Sequence, residues 1–442
     1  MKITQFTATG LAELEACLEL NEVNRIGEIE LSNLLKTSNV SFIYEQINRL
    51  QSTLICECKD SYVQQSQRYV TMKDDGYDLP PLNEVDKAEA QALLQAAFAL
   101  YHEMSVKKEG TFKGRPKLEH YEHGIPIEDA RYILPLMART NICTAMSGDK
   151  LIALFRLFHD VQYGDLFADI ATQLKKFIPP RLFMLICQQN NCVMDTGLTA
   201  SYYHEMLEKI TVENNLIFME KCGDLDRKVG LGALTSTMQN PPSTVLERWG
   251  DEADSKASGV VERVLGYGHD SIAEQARVTF GMMCSLVTYH QQERHRITAN
   301  YREDFAQLLL AKARPVKIPA TIARSKFAER FKALVDRIKS FRLRIAQRYG
   351  MDKAMCFLLN CDQIKLVIST NARADISMLA DRTCQNAQWE IRELAVKKVL
   401  ELRKLSAVLY EKALPSCVQG NCREGKMTCG QAAKVREMFA RL

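Results

Sequence analysis

Gln291-Gln-Glu-Arg294-His295-Arg296-Ile-Thr-Ala299-Asn300 sets three cationic or ionisable side chains in a row, which makes a poor core segment. Gln291, Ala299 and Asn300 around them suggest a buried site. On spacing alone a solvated basic turn is the favoured reading, because Arg and His together are common on surfaces. Upstream stand His269-Asp-Ser271-Ile-Ala-Glu274-Gln275 and Thr279-Phe280. Downstream come Ser369-Thr-Asn371-Ala-Arg373, Asp381-Arg382 and Ala387-Gln388-Trp389-Glu390-Ile391-Arg392.

In that order, these blocks resemble the two conserved segments of the flavin-dependent thymidylate synthases, whose signature is Arg-His-Arg, seven residues, then Ser. Seven residues past Arg296 the chain reaches Asp304, and the family's Ser-x-Arg-Tyr phosphate loop is missing there. That loop appears near the start of the chain as Gln64-Gln-Ser66-Gln67-Arg68-Tyr69, where the Arg-His-Arg position reads Cys56-Glu57-Cys58. The complementarity repeats. Asp129-Ala-Arg131-Tyr-Ile-Leu134-Pro135-Leu136 resembles the family's Ala-Arg-x-x-Leu-Pro-Leu element, and the second half reads Met355-Cys356-Phe357 at that place. Conversely, Asn371, Arg373 and Arg382 fall where the first half has Ser147, Asp149 and Phe158. We read a tandem duplication, 1–215 and 216–442, in which each copy has lost a different part of one site.

The resemblance implies an α+β fold: two tandem copies, helix-rich, with a small sheet in each. It implies reductive methylation of dUMP to dTMP with FAD as redox centre, and with NADPH and methylenetetrahydrofolate as co-substrates. Arg294, His295, Arg296, His269, Ser271, Asn371, Arg373 and Asn386 are the expected FAD contacts. Asn386 stands where the family usually has His. Ser66, Gln67, Arg68 and Arg131 are expected to hold the nucleotide phosphate, and Gln291 to touch the nucleotide. Gln64 replaces a Glu that contacts the ribose. Arg382 is the expected catalytic residue, its guanidinium stabilising charge at the uracil N3 and O4 so that C5 becomes nucleophilic. Family members are tetramers with sites between subunits, so the resemblance also implies a homodimer forming a pseudo-tetramer. Methylation or hydroxymethylation of another pyrimidine nucleotide, or a non-catalytic flavin- or nucleotide-binding relative, are the competing readings.

Composition is compatible with this. A 442-residue chain with 46% hydrophobic and 25% charged residues has room for two ordinary globular domains. A net charge of +4 is too small to argue for nucleic-acid binding, and no basic block is paired with an aromatic platform. The start of the chain lacks a signal pattern and no apolar run is long enough for a membrane span, so a cytoplasmic protein is expected. The 14 Cys are scattered, so reduced thiols rather than a disulfide framework are expected. Cys417, Cys422 and Cys429 lie in a polar tail where three thiolates with an added ligand would suit zinc. Without a tight Cys-x-x-Cys pair to preset two ligands, no metal is expected.

Apolar spacing predicts helices over 85–108, 150–176, 325–348 and 388–413. Arg277–Gly281, Leu286–Tyr289 and Ser52–Cys58 carry strand signals. A basic loop is expected at 106–117, read as a solvated charge cluster ahead of a guide for an anionic substrate, and another loop at 237–258, with the copies joining near 212–220.

Overall fold

The structure, a computed structural model, describes residues 1–109, 117–191, 197–220 and 224–440. Two four-stranded sheets form. The first contains β1 (Lys2–Thr9), β2 (Asn39–Asn48), β3 (Ser61–Gln64) and β4 (Arg139–Ser147) in the order β1-β2-β4-β3. The second contains β5 (Leu216–Glu220), β6 (Arg277–Ser285), β7 (Ala299–Arg302) and β8 (Gln363–Asn371) in the order β5-β6-β8-β7. The two orders are the same, and so is the edge register. Ser61 faces Ala145 and Gln64 faces Ile142; Ala299 faces Ser369 and Arg302 faces Leu366. Identical topology and register in both halves show the α+β fold in two copies.

Alternation explains the sheets. Val40, Phe42, Tyr44 and Ile47 of β2 and Thr140, Ile142, Thr144 and Met146 of β4 are buried, with their neighbours on the other face less so. β6 and β8 are buried almost along their whole length.

Packing divides the chain into two compact units that are not contiguous in sequence: Met1–Thr196 with Asp304–Gln363, and Gly197–Glu303 with Ile364–Leu442. The insertion between β7 and β8 therefore packs in the unit that holds the first sheet. Within this first unit the long helices Glu84–Met104 and Ala328–Tyr349, one from each copy, are tied by Arg348 and the Tyr349 hydroxyl to Asp86, Arg344 to Glu89 and Arg330 to Glu103. Beside them two extended segments pair about a local two-fold. The Leu136 amide donates to the Leu358 carbonyl (2.7 Å) and the Asn360 amide to that of Leu134 (2.9 Å). Met137 donates to Cys356 (3.1 Å) and Cys361 to Tyr132 (3.0 Å), with Pro135 opposite Leu359 at the centre. Shifting numbers by 224 turns each bond into its mate: 134 becomes 358, 136 becomes 360, 132 becomes 356, 137 becomes 361 and 135 becomes 359. The second unit is centred on Val229, Val261, Val278, Leu379, Val399, Leu402 and Tyr410.

The helices Glu84–Met104, Ala328–Tyr349 and Trp389–Leu405 agree with the apolar spacing. Several elements differ from expectation. Ser52–Glu57 lies in the helix Arg49–Glu57, with Cys58 as its C-cap, because Asn48 and Gln51 form a reciprocal cap that ends β2 and starts a helix. Leu286–Tyr289 likewise lies in the helix Leu286–Gln292, whose N-cap is the Ser285 hydroxyl. The span 237–258 is largely helical: Pro242 opens the helix Pro242–Trp249, and Ala253–Gly266 follows. The helix expected over 150–176 stops at Phe158 and resumes at Ala168, with Gly164 between them at a φ of 50° that a side chain would resist, and an added Cβ there would clash with the Asp352 carboxylate. Of the basic loop 106–117, residues 110–116 lie outside the described residues. Among the described residues no helix is long and apolar enough to cross a membrane.

Candidate functional site

In the first unit, β3 leads into the turn Ser66–Val70, where the Ser66 hydroxyl accepts from the Arg68 amide (3.2 Å) and the Ser66 carbonyl from Tyr69 and Val70. Opposite, the single turn Ile127–Ala130 continues into Arg131–Ile133. Glu128 links the two. Its carboxylate accepts from Arg68 Nε (2.8 Å) and its main-chain carbonyl from Arg131 Nε (3.0 Å). Asn360 adds a second link, its Nδ2 donating to the Arg131 carbonyl (2.9 Å) and to Gln67 Oε1 (3.3 Å). The structure thus gathers Gln67, Arg68 and Arg131 around Glu128 and Asn360, with Ser66 closing the turn.

This cluster presents donors of the kind an anion engages. Gln67 and Arg131 are 3% and 4% exposed, and among the described residues Gln67 Nε2 and Arg131 Nη2 have no hydrogen-bond partner. Buried donors without acceptors are costly and uncommon in folded proteins, so each calls for an explanation. Burial pushes the Arg131 guanidinium down to about 10, which leaves it cationic at neutral pH. Gln64 stands apart, its amide bonded to the Ser52 hydroxyl.

In the second unit, Arg382 at the end of the helix Ala372–Arg382 donates from Nε to His295 Nε2 at 2.9 Å. Acceptance at Nε2 requires the neutral ring with its proton on Nδ1. The turn carrying Arg294 and Arg296, both exposed, is closed by bonds from His295 N to Gln292 (2.9 Å) and from Thr298 Oγ1 to His295 (2.7 Å). Gln291 is buried in the preceding helix, whose N-terminus is anchored where the Ser285 amide and hydroxyl donate to Glu390. Asn300 is half-buried and donates to Glu293, while Ala299 is exposed rather than buried. Arg294-His295-Arg296 is therefore a basic surface turn whose central residue grips Arg382.

His269 and Ser271 are exposed at the segment Asp270–Gln275, which Glu274 joins to Arg373 by an ion pair. Asn371 caps the helix Ala372–Arg382 with its side-chain oxygen on the Ala374 amide (2.8 Å), a use that engages only the oxygen. Exposed guanidinium, imidazole and hydroxyl groups of this kind fit the pyrophosphate and polar edges of a dinucleotide such as FAD. Asn386 is engaged differently: its Nδ2 donates to Glu424 (3.1 Å) and the Met427 carbonyl (2.8 Å), fastening the C-terminal tail. Among the described residues the cysteines are all free, and no group of three or more His, Cys, Asp or Glu is placed to hold a metal ion.

Sequence reasoning missed Glu128 and Asn360. Glu128 lies three residues before Arg131 on the same turn. Asn360 is the one polar side chain in Met355-Cys-Phe-Leu-Leu-Asn360, a signal that means nothing until the two-fold strap puts it beside Arg131.

Comparison with known proteins identifies the family. The family described as thymidylate synthase complementing protein matches twice, over residues 19–179 and 224–406. A flavin-dependent thymidylate synthase of Geobacter sulfurreducens is 31% identical over 193 residues, 42% of this chain and 82% of that protein. One from Clostridium tetani is 31% identical over 219 residues, 45% of this chain and 87% of that protein. Among solved structures, a Helicobacter pylori flavin-dependent thymidylate synthase complexed with FAD and dUMP matches with a TM-score of 0.37 and 19% identity, covering 45% of this chain and 99% of that chain.

Proposed function

The chain belongs to the thymidylate synthase complementing protein family, and from that premise we propose that it is a working flavin-dependent thymidylate synthase whose one site per chain is divided between its two copies, 1–215 and 216–442. The substrate is dUMP, the carbon donor methylenetetrahydrofolate and the reductant NADPH. The observation that carries this reading is the pair of buried donors, Gln67 Nε2 and Arg131 Nη2, that have no acceptor among the described residues, beside the Arg68 guanidinium. A nucleotide phosphate supplies the acceptors and the charge they lack.

Ser66, Gln67, Arg68 and Arg131 hold the phosphate, while Gln291 and Arg382 address the base. His295 fixes the guanidinium plane of Arg382, so that its positive charge stabilises the negative charge that builds up on N3 and O4 when C5 attacks. His269, Ser271, Arg294, His295, Arg296, Asn371 and Arg373 hold FAD, which when bound supplies the hydride chemistry. Asn386 fastens the tail through Glu424 and Met427. Two such chains form a cytoplasmic homodimer that rebuilds a four-copy assembly.

The test is the absorbance spectrum of the protein incubated with FAD, followed anaerobically with NADPH in the presence and absence of dUMP. A bound flavin that NADPH reduces faster with dUMP supports the proposal. Folded protein that binds no FAD contradicts it.

A further inference from the structure

We infer that Asn360, which the second copy supplies, is a positioning residue of the first copy's phosphate half-site: it orients the Gln67 amide so that a donor and not an acceptor meets the anion. The inference rests on the reading of Gln67, Arg68 and Arg131 as that half-site.

A carboxamide has a donor end and an acceptor end, and nothing in its shape says which way it turns. Asn360 is 0% exposed and its Nδ2 lies between two acceptors, the Arg131 carbonyl and Gln67 Oε1. Reversal would place Oδ1 against two oxygens, so Asn360 holds one orientation. Gln67 is orientated in turn. With Oε1 committed to Asn360, its Nε2 is the end left over, buried and without a partner among the described residues. An anion requires that end.

Asn360 is itself held rigidly. Its amide is bonded to Leu134, and the neighbouring Leu359 amide donates to Asp362 Oδ2 (2.7 Å), whose carboxylate is paired with the buried Arg342. The symmetry of the strap shows that the side chain is not demanded by the fold. Shifting by 224 places Leu136 at the matching position, and Leu136 makes the mate of the same backbone bond with an apolar side chain. The polar side chain occurs only on the side where Arg131 and Gln67 are kept. The second copy thus contributes to the phosphate site through a residue of its own.

The test is titration of dUMP into the full chain incubated with FAD, for wild type, Asn360→Leu, Gln67→Leu and the double variant, with FAD binding and Tm recorded for each. Asn360→Leu is expected to weaken dUMP about tenfold, the size of one hydrogen-bonded contact, with FAD affinity unchanged. In the Gln67→Leu background the same substitution should add less than twofold, because its effect runs through Gln67. Unchanged dUMP affinity in folded Asn360→Leu, or full additivity with Gln67→Leu, overturns the inference. Asn360→Ser, which removes the donor with less change in packing, is read by the same criteria if the leucine variant does not fold. Arg131→Ala separates the two levels: if it too leaves dUMP binding intact, the half-site reading has failed, and if it alone abolishes binding, only the role of Asn360 has.

Discussion

Arg131 and Met355 stand at matching places on a strap with local two-fold symmetry, and the residues around them have diverged in opposite directions. On one side are Arg131, the Ser66 turn, Arg68 and an opposing Asn360. On the other are Met355, Asp304 where the loop serine would be, and an opposing Leu136. The backbone bonds match pair for pair, so the fold is preserved on both sides and only the chemistry has gone from one. A carboxylate at 304 and a thioether at 355 leave the second side without the charge a phosphate needs.

A second contrast appears deeper in each copy. Asp375 and Lys398 form a buried ion pair, with Lys398 3.6 Å from the Phe280 ring centroid and Asp375 also bonded to Thr370. The matching residues of the first copy, lower by 224, are Leu151 and Leu174, both fully buried. One scaffold holds either an apolar contact or a paired charge at this place.

The largest expected effect breaks the chemical asymmetry directly. Arg382→Ala should lower dTMP formation by about a hundredfold or more while FAD and dUMP still bind, as read by product assay and titration. Arg131→Met, which copies the mirror residue, should weaken dUMP by about a hundredfold, the worth of a charge-assisted contact to phosphate. Because it removes a buried cation with an unpartnered donor, it should leave Tm unchanged or higher; a large fall in Tm would mean that Arg131 is kept for the fold. Mixing Arg68→Ala with Arg382→Ala protein tests how the halves are shared. Activity regained after demonstrated subunit exchange excludes sites confined to one chain, and none regained excludes sites formed only between chains.

The buried pair gives the next contrast. Asp375→Leu or Lys398→Leu alone should each cost about 3–5 kcal/mol, since a buried charge is left unpaired, and the double variant should recover most of the loss. Denaturant unfolding checks this; additive losses would show that the copies differ in more than the pair.

The smallest effect concerns Asp86, which joins the long helices of the two copies. The Tyr349 hydroxyl, and then Arg348, hold its carboxyl below the ordinary value of 3.8. Its contribution is present above that value and disappears as the pH falls through the lower folded-state value. Asp86→Asn should therefore lower Tm modestly at neutral pH, with the gap to wild type closing in acid. A gap that persists there would show that the carboxylate charge is not what matters.

Much of this was legible in the residues. Arg-His-Arg, Ser66-Gln-Arg68 and the Arg131 element carry their chemistry in contiguous runs, and the long helices follow from 3.6-residue apolar spacing. Ser52–Cys58 and Leu286–Tyr289 were misread because β-branched and apolar content signals a strand, while the Asn48–Gln51 and Ser285 caps that decide for helix are single residues at the preceding boundary. Glu128 and Asn360 were invisible for another reason. Their meaning depends on pairing across 60 and 293 residues of chain, in the Arg68–Glu128 and Gln67–Asn360 bonds, and local pattern cannot report such distances. Nor does the sequence order of the copies announce that 304–363 packs with the first sheet.

Whether one complete site is assembled from two incomplete copies is decided by the stoichiometry of dUMP binding to the FAD-loaded chain in a calorimeter. One nucleotide per chain, abolished by Arg131→Met, is expected. Two nucleotides per chain, or one that survives Arg131→Met, would contradict it.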